Sequence, residues 1–428
     1  MDPKMSCHSP SGRAFFLEGR ESACATYLSL TAVVTIPIRD HKTEWTPRGA
    51  RNEMVTKAVR DRVLGILCLA VLCSILLAGL WPLTPHPRNN VAWLAGGNGL
   101  RFGHHGTILS ADAFKSTDLN GGAPCSLEIW FKPALIPVQN TMLAFYSPEN
   151  LVSFSLRQSL ADLVLQRQNR NQQGRLSEVA IYAGGALRQS TPAFITITAS
   201  PRRTAVYLDG VRVLRPSHFS LSGSDFTGQL VIANSPVAND SWSGDLRGLA
   251  IYDRDLSPTE VLENFHSWTK NGRPSTSGKE SQAALYLFNE RSGSVIHNSA
   301  GPAPDLYIPD HYLIVRPTLL EVPWKEYHPG WGYYEDILIN IGGFIPLGFI
   351  FHAYFSSVLH LNRTRLITIL LGFTVSLTIE ALQGFIPTRD SGMTDVITNT
   401  LGTAIGAMVF QWKFTQTFFS RVGIPIEH

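Results

Sequence analysis

Charge is scarce in this chain. Asp, Glu, Lys and Arg make up 16% of its 428 residues and nearly cancel, leaving a net charge of +3. So small an imbalance lacks the electrostatic footprint of a nucleic-acid binder. Cysteine is scarce too: of five, Cys7 and Cys24 lie near the N-terminus, Cys68 and Cys73 inside one apolar run, and Cys125 alone in the middle. Five cysteines so scattered make no disulfide framework, and they leave the redox compartment open. Also missing are a Ser/His pair, a cluster with metal-ligand spacing and a phosphate-cradling glycine loop, so no catalytic motif is identified and a non-enzyme is favoured.

What is present is apolar and concentrated in a few runs. Residues 1–62 carry scattered Pro, Arg and Ser without a sustained apolar period and read as an N-terminal tail. Within it, Met54-Val-Thr-Lys57-Ala-Val-Arg60-Asp-Arg62 resembles the basic lead of a membrane signal, which makes Met54 a candidate true start. The run over 63–80, closed by Trp81 as an interfacial aromatic, is close to the roughly 20 residues that cross a hydrocarbon core. It predicts a first transmembrane helix over 63–81. Pro82, Pro85 and Pro87 then open a stiff linker over 82–98.

From 99 to 315 the period changes to that of strands. Ser126-Leu-Glu-Ile-Trp-Phe-Lys132 alternates Leu127, Ile129 and Phe131 on one face with Glu128 and Lys132 on the other. Thr204-Ala-Val-Tyr-Leu-Asp-Gly-Val-Arg-Val-Leu214 reads as two strands around an Asp-Gly turn. Short runs of this kind between Gly, Pro, Asn and Ser predict an all-β antiparallel two-sheet sandwich. One helix interrupts it: Ser257-Pro-Thr-Glu260 supplies an N-cap, a first-turn proline and a capping-box carboxylate, followed by Val261, Leu262, Phe265 and Trp268 at helical spacing.

Gly244-Asp-Leu-Arg-Gly-Leu-Ala-Ile-Tyr-Asp-Arg-Asp-Leu-Ser-Pro-Thr-Glu-Val261 resembles the last-strand signature of concanavalin A-like, laminin G-type jelly rolls. Ser126-Leu-Glu-Ile-Trp-Phe131 resembles an earlier strand of that family, and Tyr207-Leu-Asp-Gly-Val211 its hairpin. The fold carries lectins, glycan hydrolases and protein-binding modules, so the likeness implies fold before function. No Glu-x-Asp-x-x-Glu run of the hydrolases is found, which argues against a catalytic sandwich; the resemblance leaves carbohydrate binding as the expected role and protein binding as the alternative. Many members of the family bind calcium. Asp209, Asp240 and Asp245 are candidate ligands, with ordinary surface aspartates at turns as the alternative.

A connector over 316–335, dense in Trp and Tyr, fits an interfacial belt. Spans at about 337–355, 366–385 and 396–410 follow within 336–414, before a tail over 415–428. Lys57, Arg60 and Arg62 precede the first span, Arg363 and Arg365 lie between the second and third, and Lys413 follows the fourth. The positive-inside rule puts all three places, and both termini, in the cytoplasm and the sandwich outside it. The expected architecture is a bundle of four transmembrane helices in the cell membrane plus an exocytoplasmic sandwich.

Polar residues fall at the predicted outer ends of these spans. Asp336 and Asn340 are four apart, Glu380 and Gln383 three apart, Arg389 lies in a loop, and Asp395 and Asn399 are again four apart. Ionisable groups at such places are costly, and together they predict an outward-facing polar pocket; helix–helix glue is the competing account. Gly402 and Gly406 form a small-xxx-small packing pair, and packing is also the reading for Gly342, Gly343, Pro346 and Gly348. Asp336-x-x-x-Asn340-x-x-x-Phe344-x-Pro346-Leu-Gly348, Ser376-x-x-x-Glu380-x-x-Gln383, Arg389 and Asp395-x-x-x-Asn399-x-x-Gly402-x-x-x-Gly406 together resemble the VanZ-like membrane proteins. That family is usually a four-helix membrane protein, and its named member is linked to teicoplanin resistance. The resemblance implies work at the cell envelope. The expected partners are the lipid bilayer and an envelope glycan or lipid-linked glycan, with Arg389 meeting an anionic head group and Glu380 and Asp395 holding it or accepting sugar hydroxyls. An intramembrane enzyme using Glu380 and Asp395, and a protein-docking scaffold, are the alternatives.

Overall fold

A computed structural model describes residues 48–115, 123–136, 138–170, 176–200, 203–214, 219–275, 282–327 and 331–411. Residues 1–47, Lys413 and the predicted tail over 415–428 lie outside them. The chain forms two units, Met1–Val55 and Thr56–His428; of the first, only the opening turns of a helix are described.

That helix, α1, runs Arg48–Leu80 and begins well before the predicted 63–81 span. The basic lead is helical because Lys and Arg are good helix formers, and Arg60 pairs with Asp61 at 3.1 Å. Four more helices come into play later in the chain: α2 (Pro258–Asn271), α4 (Trp331–Ser357), α5 (Thr364–Gln383) and α6 (Met393–Phe410), with the single turn α3 (Pro323–Glu326) before α4. Both α3 and the start of α4 fall inside the predicted connector. Among the described residues three helices are long and apolar enough to cross a membrane: Met54–Leu80, Trp331–Ser357 and Thr364–Gln383. They correspond to three of the four expected spans; α6, the place of the fourth, carries Asp395, Asn399 and six threonines and glycines along 18 residues and is not among them.

Between α1 and α4 lie the strands β1 (Val91–Trp93), β2 (Leu100–Phe102), β3 (Ile108–Ser110), β4 (Cys125–Pro133), β5 (Gln139–Tyr146), β6 (Phe154–Ser159), β7 (Asp162–Arg170) and β8 (Leu176–Ala183). They continue with β9 (Ala193–Ser200), β10 (Arg203–Leu208), β11 (Val211–Leu214), β12 (Gln229–Ile232), β13 (Gly244–Tyr252), β14 (Gln282–Tyr286), β15 (Val295–Ile296) and β16 (Leu306–Tyr307). One sheet runs β1-β2-β13-β4-β9-β10-β11 with β14 also on β13, the other β15-β16-β3-β12-β5-β6-β7-β8, all antiparallel. The predicted linker 82–98 therefore contains a strand. Val91 and Trp93 pack against the core, in a run too short for its alternation to register in the sequence.

The core lies between the sheets. Leu127, Ile129 and Phe131 of β4 face Leu246, Leu249 and Ile251 of β13 on its inner side, with Phe145, Phe154, Phe226 and Trp242 filling the space. A smaller apolar layer on the outer face of the first sheet holds α2, through Val261 and Trp268 against Phe194, Tyr207 and Tyr252. Gly248 is where they meet: a Cβ there would strike the Trp268 ring. Ser257 and Glu260 cap α2 reciprocally. Asp209 and Gly210, with φ of 50° and 79°, form the β10–β11 turn.

Candidate functional site

The helices set the frame. α4 and α6 run in the same direction, with α5 opposed. On α6, a Cβ at Gly402 would collide with the Ile341 carbonyl and one at Gly406 with the Ile345 carbonyl, while a Cβ at Gly348 would strike the Thr403 carbonyl. Only hydrogen fits at these three places, and the two backbones touch. Gly342 and Gly343 differ: nothing lies within 4 Å of a Cβ there, so packing does not account for them. Pro346 is accommodated inside α4 without ending it.

At the sandwich end of this frame the polar residues form two layers. In the deeper one, Asn399 Nδ2 donates to Ser376 Oγ at 2.9 Å, both buried. Nearer the end, Asn340 Nδ2 donates to Asp395 Oδ1 at 2.7 Å. Glu380, 2% exposed, accepts the Gly392 N–H at 2.9 Å. Asp336 is exposed, and its charge acts on Asp395.

Glu326, which the sequence pattern did not single out, joins this group. It accepts the Thr394 N–H at 3.2 Å, and its charge acts on both Glu380 and Asp395. Gly392 is held between the two glutamates, since a Cβ there would strike the Glu326 carboxylate. Glu380 and Glu326 thus satisfy two of the N–H groups that the first turn of α6 leaves open, at the positive end of its dipole. The only sequence signal for Glu326 is Pro323 opening a turn three residues earlier.

Arg389 is placed apart from the carboxylates. Its Nη2 donates to the Trp81 carbonyl at the end of α1, and no ion pair joins it to Glu380 or Asp395 among the described residues. The expectation that those acids hold Arg389 is corrected: Glu380 accepts from the start of α6 and Asp395 from Asn340 of α4, while Arg389 caps α1, where a cation meets the negative end of a helix. Gln383 makes a parallel contact, donating to the Gly79 carbonyl at 2.7 Å.

The loop carrying Arg389 is also held from the other side. Asn239, between β12 and β13, accepts on its carbonyl oxygen from Tyr312 at 2.8 Å and donates through Nδ2 to the Thr388 carbonyl at 3.2 Å. Its backbone N–H donates to Asp390 Oδ1 at 2.9 Å. Beside it, Glu321 N–H donates to the Ser391 carbonyl and Met393 N–H to the Glu321 carbonyl, at 2.9 and 2.8 Å. Trp81, Trp324, Trp331 and Phe385, between 69% and 78% exposed, lie at the end of α1, in α3, at the start of α4 and just past α5. Large exposed aromatics suit a membrane–water boundary.

The structure does not gather the candidate calcium ligands. Asp209 accepts the Phe194 N–H, Asp240 pairs with Arg157 at 3.0 Å and Asp245 with Arg101 at 2.8 Å. Among the described residues no group of three His, Cys, Asp or Glu side chains has the arrangement to hold a metal ion. His352 lies at the far end of α4, buried, with Nε2 3.1 Å from Gln411 Nε2.

One acid that the alternation places away from the inter-sheet core is nevertheless buried. Glu128, assigned to the polar face of β4, is fully buried beneath α2. Tyr252 Oη and Trp268 Nε1 donate to its Oε2 at 2.8 and 2.9 Å, and Asn264 Nδ2 to its Oε1 at 2.9 Å. Burial pushes this carboxyl up to about 7, although three donors and the Arg254 charge pull the other way.

Comparison with known proteins follows this division. Residues 281–414 match the VanZ/LLP1 family, a stretch that includes the last three strands of the sandwich as well as α4 to α6. Residues 105–262 match the concanavalin A-like lectin/glucanases superfamily. No curated protein matches. Among solved structures, the binding domain of Paraclostridial Mosquitocidal Protein 1 is 15% identical with a TM-score of 0.33, covering 43% of this chain and 47% of that one. The chain thus spans about half the length of that relative. The heptameric SAP-like pentraxin of Limulus polyphemus is 14% identical with a TM-score of 0.31, over 54% of this chain and 94% of its own. Ruminococcus gnavus IT-sialidase CBM40, bound to alpha2,3 sialyllactose, is 11% identical with a TM-score of 0.30, over 39% of this chain and 95% of its own. At such distances the likeness bears on no ligand, and the sandwich rests on its own strand pairings. The chain therefore joins a VanZ/LLP1 region to a concanavalin A-like lectin/glucanase domain.

Proposed function

We propose that this is a multi-pass protein of the cell envelope that recognises a glycan or lipid-linked glycan at the outer face of the cytoplasmic membrane. In this reading α6 is a fourth crossing, shielded by α4 and α5, and the sandwich lies outside the cytoplasm, a placement supported by the basic residues at 57–62 and 363–365. The sandwich is the glycan reader. The rim formed by Asp336, Asn340, Glu380, Asp395 and Glu326 faces the lipid headgroups beside it. Arg389 and Gln383 act indirectly, by fixing α1 against the loop that follows α5.

The observation that carries this reading is the contact of Asn239 with Thr388 and Asp390. A lectin-class sandwich and the rim of the bundle share one hydrogen-bonded loop, so a glycan chain bound along the sandwich and a lipid carrier held at the rim would be held by one connected frame. The test is to express Glu380→Gln and Arg389→Ala in the native host and compare envelope glycan composition and lipoglycopeptide sensitivity. Changed glycan composition at normal expression supports the rim; unchanged phenotypes in both remove it.

A scaffold role for the bundle is the second reading. It is favoured by Glu380, whose carboxylate already accepts a backbone N–H. A partner retained stoichiometrically by the Glu380→Gln and Arg389→Ala proteins, with glycans unaltered, decides for it.

A further inference from the structure

On the outer face of the first sheet, away from the Asn239 loop, a cavity of about 260 Å³ opens beside the first turn of α2. Its floor is the outward side of β9 and β10, with Thr198, Ala205 and Tyr207, and its wall is the turn from Asp255 to Pro258. Arg203 and Arg212 stand on its rim. Both guanidiniums are exposed, and neither has a carboxylate partner among the described residues. Glu260, in the first turn of α2, is already bound by Arg254 at 2.7 Å. Two guanidiniums against the single carboxylate of Asp255 leave one net positive charge in the cavity.

We propose that this cavity binds one carboxylate-bearing sugar of an acidic glycan, an inference that rests on the glycan reading above. The volume lies just below the roughly 300–1,000 Å³ of sites that enclose drug-sized ligands, which suits a single ring whose chain leaves through the open side. The planar fork of an arginine matches a carboxylate with two parallel hydrogen bonds. One net positive charge balances a monoanion and undercompensates a phosphate dianion. The remaining lining fits a polyol: the Thr198 hydroxyl and the Tyr207 phenol are free of partners among the described residues, and the Asp255 carboxylate accepts from sugar hydroxyls.

The experiment uses the full chain in lipid nanodiscs and a panel of uronate- and sialate-bearing oligosaccharides, each beside its carboxyl-reduced neutral counterpart. Wild type is expected to bind at least one acidic member, with the neutral counterpart and the R203Q/R212Q double variant each at least tenfold weaker. R188Q, an exposed arginine elsewhere on the sandwich, is expected to bind as wild type does. Equal binding of acidic and neutral sugars, unmoved by R203Q/R212Q, overturns the acidic site and leaves the glycan reading standing. Competition by inorganic phosphate at the same concentration as the sugar overturns the assignment of a carboxylated saccharide. Binding of no saccharide by wild type overturns both.

Discussion

Glu128 shows how burial and hydrogen bonding divide the work at a single residue. Removing the carboxyl would take the acceptor from the buried Tyr252 hydroxyl and Trp268 N–H and leave Asn264 Nδ2 only its bond to Tyr252, so Glu128→Ala is expected to cost about 3 kcal/mol or more. Denaturant unfolding followed by the fluorescence of Trp268 measures it. The pH dependence has a definite sign. The folded carboxyl holds its proton up to about 7, above the ordinary value near 4.3 in the unfolded chain. Its contribution to stability is complete below the unfolded value and is lost as pH rises through about 7. The sandwich is therefore expected to unfold at a lower denaturant midpoint at pH 8 than at pH 5, and Glu128→Gln to flatten that difference; an unchanged slope in the variant refutes the assignment. Alternation alone put Glu128 on the polar side of β4, and that much was right. What covers it comes from residues 252–268, a non-local event to which a strand pattern is blind.

Among the elements, the contact of α4 with α6 is the most exacting. Gly402→Leu places a branched side chain where only hydrogen fits against the Ile341 carbonyl, and it is expected to abolish the folded bundle. Gly342→Ala, with open space around it, is expected to leave the bundle unchanged. Thermal aggregation of the two proteins in detergent gives the comparison. The loop between α5 and α6 is held from two sides, so removing one support exposes it. Asn239→Ala removes the side-chain bonds to Thr388 and Tyr312 but keeps the backbone bond to Asp390, and is expected to raise amide hydrogen exchange across 384–392 several-fold, leaving the strands as protected as before. Local elements were readable in the chain. The Asp209-Gly210 turn and the Ser257/Glu260 cap depend on neighbours within a few residues. The capping of α6 by Glu326 was not, because the donor and the acceptor belong to segments separated by two helices.

At the scale of the whole molecule, the proposed topology predicts that a cysteine replacing Gln189, exposed on the sandwich, reacts with a membrane-impermeant maleimide in intact cells. One replacing Asn362, between α4 and α5, is expected to react only after permeabilisation. The reverse pattern inverts the protein in the membrane. The sequence by itself determined the order of parts: an apolar helix, a strand-rich module with one capped helix, and an apolar C-terminal region with polar residues at fixed spacing. These follow from periodicity, hydropathy and turn chemistry, which act over a few residues. Only the tertiary structure decided which polar groups meet. It gave Glu380 to the backbone of α6, sent Arg389 to the end of α1, buried Glu128 and brought Glu326 to the rim. Each of these pairings is a choice among many donors and acceptors of the same chemistry, and what selects one is the distance set by packing between remote segments.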